Sequence, residues 1–196
     1  MRGLEARAVA AACLAGGARL LQIRQKSGSS GAWLTLVRAV VADAAACDGS
    51  VIVNDRPDIA LMAGARGVHV GQSDLPVAVA KAIAGALALV GVSTHTTGQI
   101  DEALSGPADY VAVGPVFRTT TKDTGYEPQG LGLVRYAAGR GKPVVAIGGI
   151  SLHNARQVLD AGATAVAVIS DLLSGNRPDA RIRAFLERLP GQPFKV

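Results

Sequence analysis

The chain has 196 residues, of which 49% are hydrophobic and only 4% aromatic, so a single domain over residues 1–196 with an aliphatic core is expected. The net charge of +5 suits a phosphorylated substrate or merely a basic surface, and no basic run interleaved with aromatic residues indicates nucleic acid. No apolar run reaches membrane-spanning length, and Cys13 and Cys47 lack the spacing of metal ligands. We therefore expect a reduced, cytoplasmic protein that acts on small molecules and leave open whether it forms a homo-oligomer.

A degenerate repeat runs along the chain. The segments LAGGARLLQI, MAGARGVHVG, SGPADYVAVG and DAGATAVAVIS each join a helix end, a glycine and a short apolar run. Glycine closes a helix, and the apolar run that follows is typical of a buried parallel strand. The pattern predicts strands near residues 19–24, 51–55, 67–71, 89–93, 110–115, 143–148 and 165–169, and helices near 4–15, 32–47, 56–63, 76–85, 97–105, 130–140, 152–161 and 178–188.

This alternation predicts the fold class α/β and the TIM (β/α)8 barrel. The sequence opens on a helix, so we expect a barrel domain that is N-terminally truncated, lacks its first β-strand and keeps an open edge. A doubly wound open sheet is the alternative. The barrel is favoured because polar residues follow nearly every predicted strand and no glycine fingerprint follows the first.

Two aspartates follow neighbouring predicted strands. Asp55 comes after VIVN and Asp74 after GVHV, so both are expected on the rim formed by the carboxyl ends of the strands. Two carboxylates converging there would repel each other unless a cation lay between them, and such oxygen ligands suit Mg2+. The alternative is that they cap the helices beginning at Pro57 and Pro76. Cationic residues expected on the same rim favour the metal.

Those cations predict an anion site. Gln22, Arg24 and Lys26 alternate along one strand and so project to one side, and Lys122 ends a hydroxyl-rich loop. Together with Mg2+ they supply what a pyrophosphate requires. A second anion site is predicted where the last two strands end, at Gly148-Gly149 and at Ile169-Ser170, because barrels often bind a phosphate there through backbone N–H groups.

The three histidines do not form a metal-ligand cluster. His69 lies inside a strand and is expected to be a satisfied interior residue, whereas His153 is expected in solvent. His95, on the rim, is either catalytic or a supporting residue. Zinc chemistry therefore has no support in the sequence, and no nucleophile elbow indicates a serine hydrolase.

The motifs LLQIRQK, VNDRPDIALMAGARGVHVGQSDLP, GVSTH, DYVAVGPVFRTTTK, VVAIGGIS and GATAVAVIS resemble, in this order, those of the thiamine phosphate synthase family, over about residues 15–172. The resemblance implies a Mg2+-dependent transferase that joins 4-amino-5-hydroxymethyl-2-methylpyrimidine diphosphate to 4-methyl-5-(2-phosphooxyethyl)thiazole and releases pyrophosphate.

The resemblance also implies roles for individual residues. Asp55 and Asp74 would bind the metal. The pyrimidine diphosphate would be contacted by Gln22, Lys26, Asn54, Ser93 and Lys122, and the thiazole phosphate would be held by Thr119, Thr121, Gly149 and the backbone of Ile169 and Ser170. Arg24, Lys26, Ser93 and Lys122 form the expected catalytic set, and segment 118–130 is expected to act as a lid.

Two rival functions remain. A thiazole tautomerase of the same fold would need no diphosphate chemistry, and a non-catalytic barrel would only bind phosphate. The presence of Asp55, Asp74, Lys26 and Lys122 favours the synthase over both.

Overall fold

Parallel strands and helices alternate along most of the described chain. The computed structural model describes residues 6–25, 27–119, 121 and 125–189. The strands are β1 (Leu20–Ile23), β2 (Ser50–Asn54), β3 (Gly67–Val70), β4 (Leu89–Thr94), β5 (Tyr110–Val113), β6 (Val144–Ile147) and β7 (Ala165–Ala167). The helices are α1 (Ala6–Ala15), α2 (Ser30–Ala45), α3 (Pro57–Ala63), α4 (Val77–Ala84), α5 (Thr97–Ser105), α6 (Gly130–Ala137), α7 (Ala155–Asp160), α8 (Ser170–Leu173) and α9 (Pro178–Arg188).

The strands form one parallel sheet in the order β1-β2-β3-β4-β5-β6-β7. This order confirms an α/β fold with a parallel sheet, and it excludes the doubly wound alternative, in which the strand order reverses at a switch point. Within the described ranges β1 pairs only with β2 and β7 only with β6, so the sheet has two open edges.

Several helices differ from the prediction, for example α6, which ends at Ala137 rather than at residue 140. Helix α7 begins at Ala155 because Asn154 Oδ1 accepts a hydrogen bond from the Ser151 N–H at 2.8 Å and keeps the preceding residues in a turn. The four-residue helix α8 is not predicted from the sequence, because it is too short to show helical periodicity.

The two faces of the sheet have different partners. Alternate valines, including Val53, Val68, Val90 and Val111, are fully buried in the core between the sheet and the helices. Because side chains alternate along a strand, the residues between these valines face the other side of the sheet. Polar residues such as Asn54, His69 and Ser93 lie on that inner face.

The first and last described helices lie against each other. A Cβ atom at Gly16, which follows α1, would lie 2.6 Å from the Asp179 carbonyl oxygen of α9, and Arg183 donates a hydrogen bond to the Ala15 carbonyl. The helical layer therefore continues from the end of the chain back to its start, although β1 and β7 do not pair. None of the helices in the described ranges has the length and apolarity needed to cross a bilayer.

Candidate functional site

The parallel register brings the carboxyl ends of neighbouring strands to one edge of the sheet. Asn54 of β2 pairs with His69 of β3, and Ser93 of β4 pairs with Ala112 of β5. On the far side, Ile147 of β6 pairs with Ala167 of β7. The loops that follow these residues carry most of the site residues predicted from the sequence. The predicted site residues therefore lie along a single rim of the sheet.

Asp55 and Asp74 lie in the segments that follow two adjacent strands, Asp55 directly after β2 and Asp74 in the loop after β3. Asp55 has a φ of 62°, and its N–H donates to the His69 carbonyl at 2.8 Å. Asp74 is exposed, and its Oδ2 accepts a hydrogen bond from the Gly71 N–H at 2.7 Å. The residues that cap α3 and α4 are Arg56 and Pro76, and neither cap uses a side-chain hydrogen bond. The helix-capping alternative for the two aspartates is therefore wrong.

The described residues contain no cluster of three or more acidic, histidine or cysteine side chains that could enclose a metal. An ion held by Asp55 and Asp74 would have to complete its coordination with water or with oxygens of a ligand. Mg2+ commonly binds in that way. The two carboxylates thus fit the ion expected from the sequence.

The polar residues of β1 and β2 flank these aspartates. Gln22 is exposed on β1, where it pairs with Ile52, and Arg24 follows on the same face of the strand in a half-buried position. Asn54 is half-buried at the end of β2. Lys26 and Lys122 lie outside the described residues, as does part of segment 118–130, so their expected roles stay predictions.

A buried hydrogen-bonded network supports Ser93. His69 is 6% exposed, its Nδ1 lies 3.0 Å from the Tyr110 hydroxyl, and its Nε2 lies 2.9 Å from Ser93 Oγ. This confirms the expectation of a satisfied interior histidine. Tyr110 was not singled out from the sequence; its only signal is an aromatic residue at an inner-face position of a strand. Burial raises the pKa of Tyr110.

Further contacts order the same part of the rim. Gln72 Nε2 donates to the Ser93 carbonyl at 2.6 Å, which fixes the loop after β3 against the end of β4. His95 contacts the Gly114 carbonyl through Nδ1 and stacks on Tyr126, with ring centroids 4.2 Å apart. These contacts hold His95 against the loop after β5 and against Tyr126, and its role, catalytic or supporting, stays a prediction.

The predicted phosphate site lies at the ends of β5, β6 and β7. Gly149 has a φ of 65°, and a Cβ atom there would lie 2.5 Å from the Arg118 carbonyl oxygen. The segment leading to Thr119 therefore packs directly on Gly149. Thr119 Oγ1 accepts a hydrogen bond from the Thr121 N–H at 3.2 Å.

The start of α8 is tied to the turn after β6. Ile169 and Ser170 are both exposed where this helix begins. The next residue, Asp171, accepts a hydrogen bond from the Leu152 N–H at 3.0 Å and forms an ion pair with Arg181 at 2.8 Å. The structure thus brings Gly149, Ile169 and Ser170 to one end of the rim, as the sequence predicted.

The chain is similar to known proteins over most of its length. Residues 3–172 match the model of a family described as thiamine monophosphate synthase. A thiamine-phosphate synthase of Halalkalibacterium halodurans is 40% identical, over 85% of this chain and 79% of that relative, and one of Anaeromyxobacter dehalogenans is 42% identical, over 91% and 80%.

Comparison with solved structures finds the same fold in a related protein. The thiamine phosphate pyrophosphorylase of Pyrococcus furiosus superimposes with a TM-score of 0.88 at 30% identity, over 95% of this chain and 90% of that one. A phosphoribosylanthranilate isomerase of Thermotoga maritima, at 18% identity and a TM-score of 0.66, shares the fold alone.

Proposed function

The chain belongs to the thiamine monophosphate synthase family, and from this membership we propose that it joins the pyrimidine diphosphate to the thiazole phosphate and releases pyrophosphate. As a member it is a transferase that binds small-molecule substrates. The observation that carries the proposal is the position of Asp55 and Asp74 at adjacent strand ends, where neither carboxylate caps a helix.

Asp55 and Asp74 would hold Mg2+, which when bound neutralises charge on a diphosphate. The conformation of the loop after β3 supports this role. The hydrogen bond from the Gly71 N–H occupies Asp74 Oδ2 and orients the carboxylate, so that Oδ1 remains for a cation. Asp55 sits directly after β2, and the hydrogen bond from its N–H to the His69 carbonyl fixes it to the neighbouring strand.

The remaining residues divide between the two substrates. Gln22, Asn54 and Ser93 would hold the pyrimidine diphosphate, and Arg24, Lys26 and Lys122 would stabilise the charge that develops on the leaving oxygens. Thr119, Thr121, Gly149 and the backbone of Ile169 and Ser170 would anchor the thiazole phosphate. This anchor would place the thiazole nitrogen beside the carbon that the diphosphate leaves, so no protein nucleophile is needed.

The same proposal extends to the architecture. The sheet would form seven strands of a (β/α)8 barrel, with the position of the eighth strand between β7 and β1. The sequential strand order and the packing of α9 against α1 support this arrangement. A crystal structure in which something other than a β-strand fills the space between β7 and β1 would contradict this arrangement.

An assay of the purified chain tests the activity. Pyrophosphate release is measured with the pyrimidine diphosphate, the thiazole phosphate and Mg2+, and with each component left out in turn. We expect release that needs all three. Isomerisation of a thiazole precursor without pyrophosphate release would instead indicate a tautomerase, and binding of either phosphate without turnover would indicate a non-catalytic barrel.

A further inference from the structure

Three side chains on the inner face of the sheet form a chain of hydrogen bonds that ends at Ser93. The register aligns His69 of β3 with Gly91 of β4, and Gly91 with Tyr110 of β5. A Cβ atom at Gly91 would lie 2.0 Å from Tyr110 Cζ, so the tyrosine ring lies directly over this glycine. The missing side chain therefore lets Tyr110 reach across β4 and contact His69.

The direction of these hydrogen bonds follows from the needs of the buried phenol. Tyr110 is 6% exposed, and burial raises its pKa, so the hydroxyl stays protonated and requires an acceptor. Among the described residues the hydrogen-bond partner of this hydroxyl is His69 Nδ1, at 3.0 Å. An O–H that donates to Nδ1 leaves the hydrogen of the neutral imidazole on Nε2. Nε2 then donates to Ser93 Oγ, 2.9 Å away.

We propose that Tyr110, acting through the tautomer of His69, makes Ser93 a hydrogen-bond donor to the substrate. The serine oxygen accepts from His69 Nε2, so its own hydrogen points toward the open rim. The Ser93 carbonyl is held by Gln72 at 2.6 Å, which fixes the backbone that carries the hydroxyl. Ser93 would thus offer its hydrogen to an acceptor atom of the substrate, such as a ring nitrogen or a phosphate oxygen.

In this scheme Tyr110 and His69 are positioning residues, and Ser93 is the group that touches the substrate. That the substrate is the pyrimidine diphosphate rests on the proposed function. The hydrogen-bond direction does not rest on it, so the two can fail separately.

The direction of the hydrogen bond between Tyr110 and His69 is measured by nitrogen NMR of the 15N-labelled full chain. The measurement is made at about pH 8.5, where an ordinary imidazole is neutral. We expect the His69 signals to show a protonated Nε2 and an unprotonated Nδ1, with assignment by loss of the signals in His69→Gln. A protonated Nδ1 would overturn the inference. If the chain is active and Nδ1 carries the hydrogen, the inference fails while the proposed function stands.

Kinetics of three variants test the consequence for the substrate. Gln at position 69 can place an amide donor near the former Nε2, whereas Asn can replace only Nδ1. We expect His69→Gln to retain about tenfold more kcat/KM for the pyrimidine diphosphate than His69→Asn, with the KM for the thiazole phosphate unchanged in both. Tyr110→Phe should lose about five- to tenfold of the same kcat/KM.

Tyr136→Phe is the matched control, because this tyrosine is exposed on α6 and its hydroxyl donates to Asp101. It should keep the parent rate. Equal kcat/KM in His69→Gln and His69→Asn, or unchanged kinetics in folded Tyr110→Phe, would contradict the proposal. If the unsubstituted chain releases no pyrophosphate, the proposed function fails, and the NMR result alone still decides the direction.

Discussion

The backbone of Asp55 is in a conformation that few residues adopt. Its φ of 62° lies in the left-handed region, where residues other than glycine are uncommon and asparagine and aspartate are enriched. Holding such a residue costs about 1–2 kcal/mol. Asp48, with a φ of 53°, shares this conformation in the turn before β2, at the opposite end of the strand. Backbone strain of this kind is often retained where a side chain must be aimed, which is how we interpret Asp55.

Asp55→Asn tests the effect of the carboxylate charge separately from the effect of the backbone conformation. Asparagine tolerates the left-handed conformation as well as aspartate, so we expect the variant to keep the backbone conformation of the parent chain. Loss of the carboxylate should lower the rate of pyrophosphate release more than about 100-fold, because a neutral amide holds Mg2+ poorly. Asp48→Asn makes the same change in the same conformation and should leave the rate unaltered. Wild-type turnover in Asp55→Asn would exclude Asp55 as a metal ligand.

The junction between α8 and the turn after β6 depends on one side chain. Asp171 accepts hydrogen bonds from the Leu152 N–H and from Arg181 of α9, so it links three elements beside the proposed phosphate anchor. Burial by itself disfavours its charge, but the bonds from Arg181 and Leu152 outweigh that effect and hold the pKa of Asp171 below its ordinary value. We therefore expect the proposed phosphate anchor to depend on an ionised Asp171.

Asp171→Asn should lower the free energy of unfolding by about 1–2 kcal/mol and raise the KM for the thiazole phosphate, with the KM for the pyrimidine diphosphate unchanged. A carboxylate whose pKa is depressed on folding stabilises the fold above its unfolded pKa of about 3.9. This contribution is lost as the pH falls through the lower, folded value. The difference in Tm between the variant and the parent chain should therefore be full at neutral pH and shrink below about pH 4.

Asp160→Asn is the control for Asp171→Asn, because the Arg156–Asp160 pair is exposed and lies within one helix. Its Tm should match that of the parent chain at every pH tested. A Tm difference for Asp171→Asn that grows as the pH falls would contradict the assigned direction of the shift.

Helices and strands could be predicted where neighbouring residues alone encode them, and could not where they depend on residues far apart in the sequence. The run from Gly64 to Val70 encodes a helix end and a strand within a few residues, so the position of β3 could be read directly from the sequence. Helix α8 could not, since four residues show no periodicity. The contact between Tyr110 and His69 was also hidden, because it depends on the register of three strands and on the missing side chain of Gly91.

Across the whole molecule, the two ends of the sheet carry different kinds of polar contact. The proposed site occupies the carboxyl ends of the strands. At the amino ends, Lys81 of α4 pairs with Asp109 at 2.7 Å, and Asp109 Oδ2 also accepts from the Val90 N–H at 2.8 Å. Lys142 donates to the Ala103 carbonyl at 2.9 Å, and burial lowers its pKa. These contacts join helices to strand starts, so we assign them to stability.

Asp109→Ala tests that division of the molecule. The change leaves the half-buried Lys81 ammonium without its carboxylate and the Val90 N–H without an acceptor, so the free energy of unfolding should fall by about 2 kcal/mol. For a chain of this length the Tm should drop by about 4–8 °C, measured by thermal denaturation. Because the changed side chain lies at the opposite end of the sheet from the site, kcat and both KM values should stay at the parent values well below the Tm. A variant with an unchanged Tm and a lower kcat would show instead that the amino ends of the strands take part in the chemistry.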